Sequence, residues 1–363
     1  MYKKNLKINK ISIFYIAWIM MVINICIANS DLEVNNTSII SYIALVLFGI
    51  KIIIQKKYKF CEIFLLIVLI LFGYIASKSA DDMRVLWFVI VIVASKDIDF
   101  DKTVRYSFFT MFSCCIIFFL SYLFGITEET VMYTSRGIRH SLGLGHPNMC
   151  SAYYTILISL NIYLKFDYLR IRNVFSYLLG TFILYYFTKS ITGLIITLLV
   201  LIIMFVLRFV SLKKINSKVI LLILLVGIFV FTILPIVYNS SFFLLDKLMT
   251  GRLRQANFYY VKYGISLFGN NVNSDLTNIY TDNILDMGYA KMLINNGIFY
   301  YLFVVFGYLI SMFKAVKHSK SNLIALISCF IIYMFTENVA TYIFMNVTML
   351  LFSNILYKNN IKI

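Results

Sequence analysis

Charged residues, prolines and histidines are all scarce in this sequence. Asp, Glu, Lys and Arg together make up only 13% of the 363 residues, and there are two prolines and three histidines. Hydrophobic residues reach 61%, with a mean hydropathy of +0.87. A soluble chain of this length needs far more polar surface, so the composition predicts a polytopic membrane protein. Because lipid offers a bare backbone no hydrogen-bond partner, we expect an all-α fold.

Acidic residues are scarcer than basic ones, at 16 against 33, which gives a formal net charge of +17. Such a charge is typical of nucleic-acid-binding proteins. Here, however, the basic residues lie in short clusters between apolar runs, a pattern that sets membrane topology and does not line a groove-binding face. We therefore expect no nucleic-acid partner. The six cysteines lie mostly inside apolar runs without metal-ligand spacing, which favours core packing.

Several chemical motifs are missing. The sequence has no lysine-bearing phosphate loop, no His-Glu-x-x-His pair and no aspartate pair suited to a divalent metal with a sugar nucleotide. We expect no metal and no cofactor. Charged residues are almost absent from the centres of the apolar segments, which argues against an ion pump or a typical transporter.

The apolar runs predict about twelve spanning helices within one integral membrane domain, 1–363. Their expected ranges are 11–28, 39–54, 60–76, 85–95, 106–126, 150–166, 173–188, 194–210, 219–237, 298–313, 324–335 and 339–356. Most Lys and Arg residues then fall in cytoplasmic segments together with both termini, as the positive-inside rule requires. Two polar loops, 127–149 and a larger one at 238–296 that contains helices, are expected on the extracytoplasmic side.

The first outer loop, 127–149, concentrates polar residues. Arg136 and Arg139 are three apart, so a helical turn would place them on one face, where two guanidinium forks suit a phosphate or pyrophosphate. The alternative is a pair of solvated charges. His146 precedes Pro147, and Asn148 is expected to cap the next helix. A histidine fixed there can take a proton from a hydroxyl, or it can simply form a hydrogen bond at the helix start.

The second outer loop, 238–296, contains a predicted helix that starts near Thr250. A helix N-terminus and Arg252 together form an anion site. Continuing at helical spacing, a polar face is expected from Arg252, Gln255, Tyr259 and Lys262. The alternative is an interfacial amphipathic helix whose basic side chains extend to the lipid headgroups.

Four more polar residues complete the candidates. Asp282 and Asn283 lie just before the chain re-enters the bilayer, where they can bind sugar hydroxyls or orient a base, or be ordinary loop residues. Lys189, at a tight turn, can neutralise a lipid-linked phosphate or mark the interface. Glu337 lies in a short outer turn. Its position in the sequence is the only feature that suggests it reaches the cavity between the outer loops. Three charged neighbours at another outer turn are expected to be solvated: Asp81, Asp82 and Arg84.

An ordered set of short motifs covers nearly the whole chain. The motifs are Gly145-His146-Pro147-Asn148, Lys189-Ser190-Ile191-Thr192-Gly193, Thr250-Gly251-Arg252, Leu267-Phe268-Gly269, Thr281-Asp282-Asn283 and Asn296-Gly297-Ile298. In their order, spacing and number of spans they resemble the Wzy-type polysaccharide polymerases and the related O-antigen ligase superfamily of bacterial plasma membranes. This resemblance implies a metal-independent, inverting glycosyltransferase with class C architecture. It also implies undecaprenyl-pyrophosphate-linked oligosaccharides as substrates, and a chain-length regulator and a flippase of the same pathway as partners.

The resemblance also implies residue roles. Arg136 and Arg252 would hold the pyrophosphate leaving group. Lys189 stands where relatives often have arginine, so a point charge replaces a fork. The ligase branch uses a histidine in its large outer loop; because 238–296 has none, His146 is expected to act as the base. Further substrate contacts are expected from Arg139, Asn148, Lys189, Arg254, Tyr259, Asp282 and Asn283.

The expected function is polymerisation of lipid-linked repeat units into a capsular polysaccharide or exopolysaccharide on the outer face of the membrane. Two alternatives stay open at this point. One is a ligase of the same superfamily that transfers finished polymer to another acceptor. The other is a lipid-linked oligosaccharide flippase or transporter.

Overall fold

The computed structural model describes residues 10–32, 36–55, 58–209, 217–272 and 285–357, and helices dominate throughout. The α-helices are α1 (Lys10–Ala28), α2 (Thr37–Ile54), α3 (Phe60–Ala80), α4 (Arg84–Ala94), α5 (Phe100–Leu123), α6 (Pro147–Leu164), α7 (Ile171–Thr188), α8 (Ile191–Phe209), α9 (Ser217–Ile233), α10 (Phe243–Leu248), α11 (Arg252–Tyr263), α12 (Gly288–Ile294), α13 (Ile298–Lys317), α14 (Ser321–Tyr333) and α15 (Ser353–Leu356). Short 3-10 segments cover Phe166–Tyr168, Ser240–Phe242, Val339–Thr341 and Val347–Phe352.

Six of these helices are long and apolar enough to cross a membrane, counted over the residues that the structure describes. They are Lys10–Ala28, Thr37–Ile54, Glu62–Ala80, Phe100–Leu123, Ile191–Phe209 and Ile298–Lys317. Large apolar side chains such as Phe64 and Phe229 point outward and are about two-thirds exposed, at 65% and 64%. Side chains exposed in this way need lipid around them, so the chain is a membrane-embedded polytopic protein.

The centre of the bundle is formed by short helices that are apolar on every side. α14 is buried along nearly its whole length and packs against α6, α8, α9 and α13, while α4 packs between α2 and α3. A short helix with no polar face is stable only when neighbours cover it completely. The longer α2 and α3 have mostly exposed apolar side chains and form part of the periphery.

The expected spanning helix over 339–356 is wrong. The chain there forms two 3-10 segments and the four-residue α15. Buried Asn346 accepts a hydrogen bond from the Thr348 hydroxyl (2.5 Å) and donates to the Tyr308 hydroxyl (2.7 Å). Such local side-chain bonds compete with a regular helix. Close packing is possible because Gly307 lacks a Cβ, which would lie 2.6 Å from the ring of Phe352.

The fold also departs from all-α in the first outer loop, where a two-stranded antiparallel hairpin replaces the expected helical turn. β1 (Val131–Thr134) pairs with β2 (Gly137–His140), and Met132 lies opposite Arg139. The hairpin lies at the end of the bundle where α1, α3 and α7 finish and where α4, α6 and α8 begin. We call this the loop end; α11 and α12 lie there as well.

Candidate active site

Arg136 and Arg139 do not share a helical face, which corrects the sequence-based expectation. Arg136 stands in the exposed hairpin turn, where its N–H donates to the Thr134 hydroxyl (3.3 Å). Arg139 belongs to β2 and is only 9% exposed. The two residues therefore differ in exposure, although the charge of Arg136 still acts on Arg139. Arg139 is therefore the buried guanidinium of this loop.

The base of the hairpin is held by the Asp31 carboxylate, from the segment after α1. This carboxylate accepts hydrogen bonds from the Thr130 hydroxyl (2.6 Å), the Ser141 hydroxyl (2.7 Å) and the Gly145 N–H (3.1 Å). Gly145 has a φ of +71°, and a Cβ there would lie 2.6 Å from the carbonyl oxygen of Asn29. The segment leading to His146 is thus fixed by a charge and by a close backbone approach.

His140 has a structural partner in the same loop. Its Nδ1 lies 2.6 Å from a carboxylate oxygen of Glu129, and the other Glu129 oxygen accepts the N–H of Leu142 (3.2 Å). These contacts account for His140 without a ligand.

His146 itself forms the N-cap of α6, with Pro147 as the first helical residue. Its Nδ1 accepts the backbone N–H of Asn148 (3.0 Å). The expectation that Asn148 caps this helix is therefore wrong: the imidazole takes that place because Pro147, which lacks an N–H, fits the first turn. Since Nδ1 accepts, a neutral His146 holds its proton on Nε2. Burial lowers the pKa of His146, and the nearby Arg139 lowers it further, which favours the neutral ring.

Arg139 joins this helix start to the end of α7. Its Nε donates to the carbonyl of Thr188 (2.9 Å) and its Nη2 to the Asn148 Oδ1 (2.6 Å). The hydroxyl of Ser190 donates to the same Asn148 oxygen (3.0 Å). A guanidinium at the C-terminus of a helix satisfies a free carbonyl and complements the helix dipole. The two motifs singled out in the sequence, around 146–148 and 188–190, therefore meet in one hydrogen-bonded group.

Lys189 occupies the turn between α7 and α8 with a left-handed φ of +48°. Its ammonium lies 4.5 Å from the ring centroid of Tyr186, a residue that is 67% exposed. The lysine thus lies at the outer edge of the group around Arg139, with its charge over an exposed aromatic ring.

Arg252 is the second buried guanidinium of the loop end. It is the first residue of α11 and is 4% exposed. Its Nη2 lies 2.8 Å from Glu337 Oε1 and 3.5 Å from Asp286 Oδ2, and its Nη1 donates to the carbonyl of Thr336. Two carboxylates thus flank one cation, an arrangement that is stable in a buried place only because the charges compensate each other.

The start of α11 differs in detail from the sequence-based expectation. Gly251, with a φ of +84°, is the N-cap, and the Thr250 side chain makes no capping bond. The expected polar face is also wrong: Tyr259 is fully buried with Leu253 in a small apolar cluster, while Lys262 is exposed. Arg254 is exposed as well. Helix α11 thus packs through its apolar residues and presents Arg252 to the site from its first turn.

Glu337 lies just beyond the end of α14, where its N–H donates to the Tyr333 carbonyl (3.1 Å). Burial raises the pKa of Glu337 to about 7; Arg252 opposes this rise and Asp286 reinforces it. The carboxyl therefore titrates near neutral pH.

The groups around Arg139 and Arg252 form one electrostatic neighbourhood. Burial lowers the pKa of Arg139, the charges of Arg136 and Arg252 lower it further, and Glu337 raises it. His146 likewise responds to both arginines and to Asp286. Of the residues predicted from the sequence, the structure brings together Arg139, His146, Asn148 and Arg252. Arg136 and Arg254 are left on the exposed surface, and Asp282 and Asn283 lie outside the described residues.

Sequence reasoning missed a second polar group at the loop end, which begins at Asp82. Asp82 and Arg84 were expected to be solvated, but their side chains are only 10% and 19% exposed. The Asp82 Oδ2 accepts from the amides of Asn295 (3.1 Å) and Asn296 (3.3 Å), and Oδ1 lies 3.6 Å from Arg84 Nε. Two features of the sequence could have indicated this group. The charged residues Asp82 and Arg84 stand beside one apolar run, and the amides Asn295 and Asn296 stand before another.

Hydrogen bonds connect this second group to Arg252. Arg84 Nη1 donates to the Thr341 hydroxyl (3.2 Å), which donates to the Asn338 carbonyl (2.6 Å). The amide of Asn338 then donates to Asp286 Oδ1 (3.3 Å). Asp286, which the sequence-based reasoning did not single out, is therefore held from two sides, by Asn338 and by Arg252.

An apolar groove of about 480 Å³ adjoins the helix start at His146. It lies between α5, α6 and α7, and its walls near the loop end include Leu142, Leu144 and Cys150. Its lining is almost entirely aliphatic and aromatic, so it suits a hydrocarbon chain and offers little to a polar ligand.

Within the described part of the chain, no three His, Cys, Asp or Glu side chains come together as a possible metal site. The arrangement instead offers two buried guanidiniums, a neutral imidazole and two carboxylates, beside an apolar groove. No protein-family model, no curated protein and no solved structure matches this chain.

Proposed function

We propose that this protein polymerises undecaprenyl-pyrophosphate-linked oligosaccharide repeat units into a surface polysaccharide on the outer face of a bacterial plasma membrane. The observation that carries this proposal is that Arg139, His146 and Arg252 lie at the loop end, where the charges of the two arginines act on each other and on His146. Cationic forks select a diphosphate, and the adjoining apolar groove suits the lipid attached to it.

The leaving diphosphate is assigned to Arg139 and Arg252. In Arg139, Nε donates to the Thr188 carbonyl and Nη2 donates one hydrogen bond to Asn148. The remaining N–H groups of the guanidinium can donate to a ligand. In Arg252, Asp286 and Glu337 already compensate the guanidinium charge. An incoming diphosphate would therefore bind to a guanidinium that also contacts these two carboxylates. Positive charge placed where the diphosphate departs stabilises the transition state. Arg136 and Lys189 are assigned secondary contacts, because their positions are more exposed.

The role proposed for His146 is that of a hydrogen-bond donor. With Nδ1 occupied by the Asn148 N–H, its Nε2–H can donate to a diphosphate or sugar oxygen. In this tautomer Nε2 already carries a proton, and it could act as an acceptor only if Nδ1 took up that proton and released the cap of α6. The general base expected from the sequence must therefore be sought among the carboxylates.

The apolar groove is assigned to the first part of the polyprenyl chain. Leu144 and Cys150, which flank the His146 segment in sequence, belong to its wall, so a lipid there would bring its diphosphate towards His146. The remainder of a long prenyl chain would extend into the bilayer. The positive-inside distribution of Lys and Arg favours placing this end outside the cytoplasm.

Deletion of the gene tests the function against its alternatives. Cells that lack a polymerase but keep their flippase should carry single repeat units on the outer face and no ladder of longer chains. Cells that lack a flippase should accumulate lipid-linked units on the inner face, and cells that lack a ligase should accumulate long polymer still attached to the lipid carrier. Either of the last two outcomes would refute the proposal.

A further inference from the structure

Two carboxylates flank Arg252, and they differ in how completely they are engaged. Asp286 uses both oxygens, since Oδ2 lies 3.5 Å from Arg252 Nη2 and Oδ1 accepts the Asn338 amide (3.3 Å). Glu337 uses only Oε1 for Arg252, at 2.8 Å. Its Oε2 has no hydrogen-bond partner among the residues that the structure describes. A carboxylate oxygen that accepts no hydrogen bond from the protein remains open to a donor such as a ligand hydroxyl.

The position of Glu337 fits a reacting group. It follows the end of buried α14, and its carboxylate is anchored by a guanidinium that itself is fixed at the start of α11. A general base needs a fixed orientation and one free oxygen within reach of the proton it accepts.

We propose that Glu337 is the base that accepts the proton of the attacking sugar hydroxyl, an assignment that rests on the proposed function. In this step the hydroxyl oxygen of the incoming unit forms a bond to the anomeric carbon of the growing chain. The bond from that carbon to the pyrophosphate oxygen breaks, and its electron pair leaves with undecaprenyl pyrophosphate. The hydroxyl proton goes to Oε2 of Glu337 and from there to water.

The surroundings of Glu337 set its pKa, and this pKa suits a general base. The titratable and charged groups that act on it or lie next to it are Arg252 from α11, Asp286 from the segment before α12, Arg139 from β2 and Tyr333 from α14. Burial raises the pKa of Glu337 to about 7, so the carboxylate form is available at neutral pH and is basic enough to accept a proton. Asp286, whose two oxygens are already bonded, is assigned to positioning Arg252.

The experiment compares Glu337→Gln with wild-type protein in detergent, using lipid-linked repeat units extracted from cells that lack the gene. Glutamine keeps an oxygen for Arg252 but accepts no proton. We expect the rate of chain growth to fall by roughly 10²–10⁴-fold, while binding of undecaprenyl pyrophosphate changes by less than about threefold. Glu337→Asp should retain part of the rate. The matched control is Glu128→Gln, the same change at an exposed carboxylate in the hairpin loop, which should match wild type.

The pH profile separates a base from a structural residue. The wild-type rate should fall as the pH drops below about 7, and the residual rate of Glu337→Gln should lose this inflection. A Glu337→Gln rate within tenfold of wild type, or an unchanged inflection, would overturn the assignment of Glu337 alone. A wild-type protein that binds the lipid-linked units but never extends them would overturn the proposed function, and the base assignment with it.

Discussion

At the residue scale, the loop end is notable for charges that are buried and compensated. Arg252 is 4% exposed yet has three protein partners, and Arg139 at 9% has two. Removing one partner from such a group leaves another charge uncompensated, which is strongly destabilising. Tests of function at these positions therefore need substitutions that preserve charge or shape.

Arg252→Lys should reduce polymer formation by roughly a hundredfold while the protein still folds. Lysine keeps the positive charge near Glu337 and Asp286 but cannot contact both carboxylates and a diphosphate as a planar fork. The measurement is the rate of chain growth with purified variants of equal thermal stability. Arg105→Lys, at an exposed position on α5, is the control and should leave the rate unchanged. Full activity in Arg252→Lys would contradict the assigned role.

His146→Asn separates capping from chemistry. Asparagine is a preferred N-cap, so its side chain should replace Nδ1 as the acceptor for Asn148 and change stability by less than about 1 kcal/mol. Because it lacks the Nε2–H, we expect chain growth to fall about tenfold or more. If His146→Asn grew polymer at the wild-type rate, the histidine would be a helix cap and nothing further.

Stability against pH provides a second readout at His146. Because burial lowers its pKa in the folded state, its contribution to stability is present above the unfolded pKa of about 6.5 and is lost as the pH falls through the folded pKa. His146→Asn should therefore lose less thermal stability than wild type on acidification below pH 6.5.

At the scale of elements, the hairpin and the helix starts place the reactive side chains. Gly145 stands between the Asp31 anchor and the cap at His146. Its left-handed φ and its approach to the Asn29 carbonyl both exclude a side chain.

Gly145→Ala should therefore lower the melting temperature and reduce chain growth together. The left-handed backbone costs an alanine roughly 1–2 kcal/mol, and the contact with Asn29 adds to that cost. Gly125→Ala is the matched control, since its φ of +67° is similar but a Cβ there would meet nothing within 4 Å. Equal effects of the two substitutions would show that the contact with Asn29 is unimportant.

The sequence predicts most helices well and the tertiary contacts poorly. The apolar run expected at 11–28 and the one at 194–210 correspond closely to α1 and α8, because apolar length alone defines a spanning helix. The hairpin at Val131–His140 was missed, since its strands are only four residues long and hold no strong turn signal. The break at Asn346 depends on a hydrogen bond to Tyr308, 38 residues away, which no local pattern reveals.

The same distinction applies to the candidate site. His146 and Arg252 were found because each stands in a polar motif beside an apolar run. Asp286 was not, because its importance comes from meeting Arg252 and Asn338, which belong to segments distant in sequence. Glu337 was noted for its position only. Its significance follows from its burial and from the fact that only one of its carboxylate oxygens, Oε1, contacts Arg252.

At the scale of the whole molecule, the proposed function requires the loop end to face away from the cytoplasm. Single cysteines introduced in a variant without native cysteines test this. Arg136→Cys, in the exposed hairpin turn, should react with a membrane-impermeant maleimide in intact cells. Tyr168→Cys, 83% exposed at the opposite end of the bundle, should react only after the membrane is opened. The reverse pattern would place the site in the cytoplasm.

The proposed function is that this bundle extends a sugar chain held on a lipid diphosphate. Its most direct test is to incubate the purified protein with lipid-linked repeat units and to resolve the products by gel electrophoresis. We predict a ladder whose steps equal one repeat unit, with one undecaprenyl pyrophosphate released per step. Repeat units that are bound, or carried across vesicle membranes, but remain single would contradict the claim.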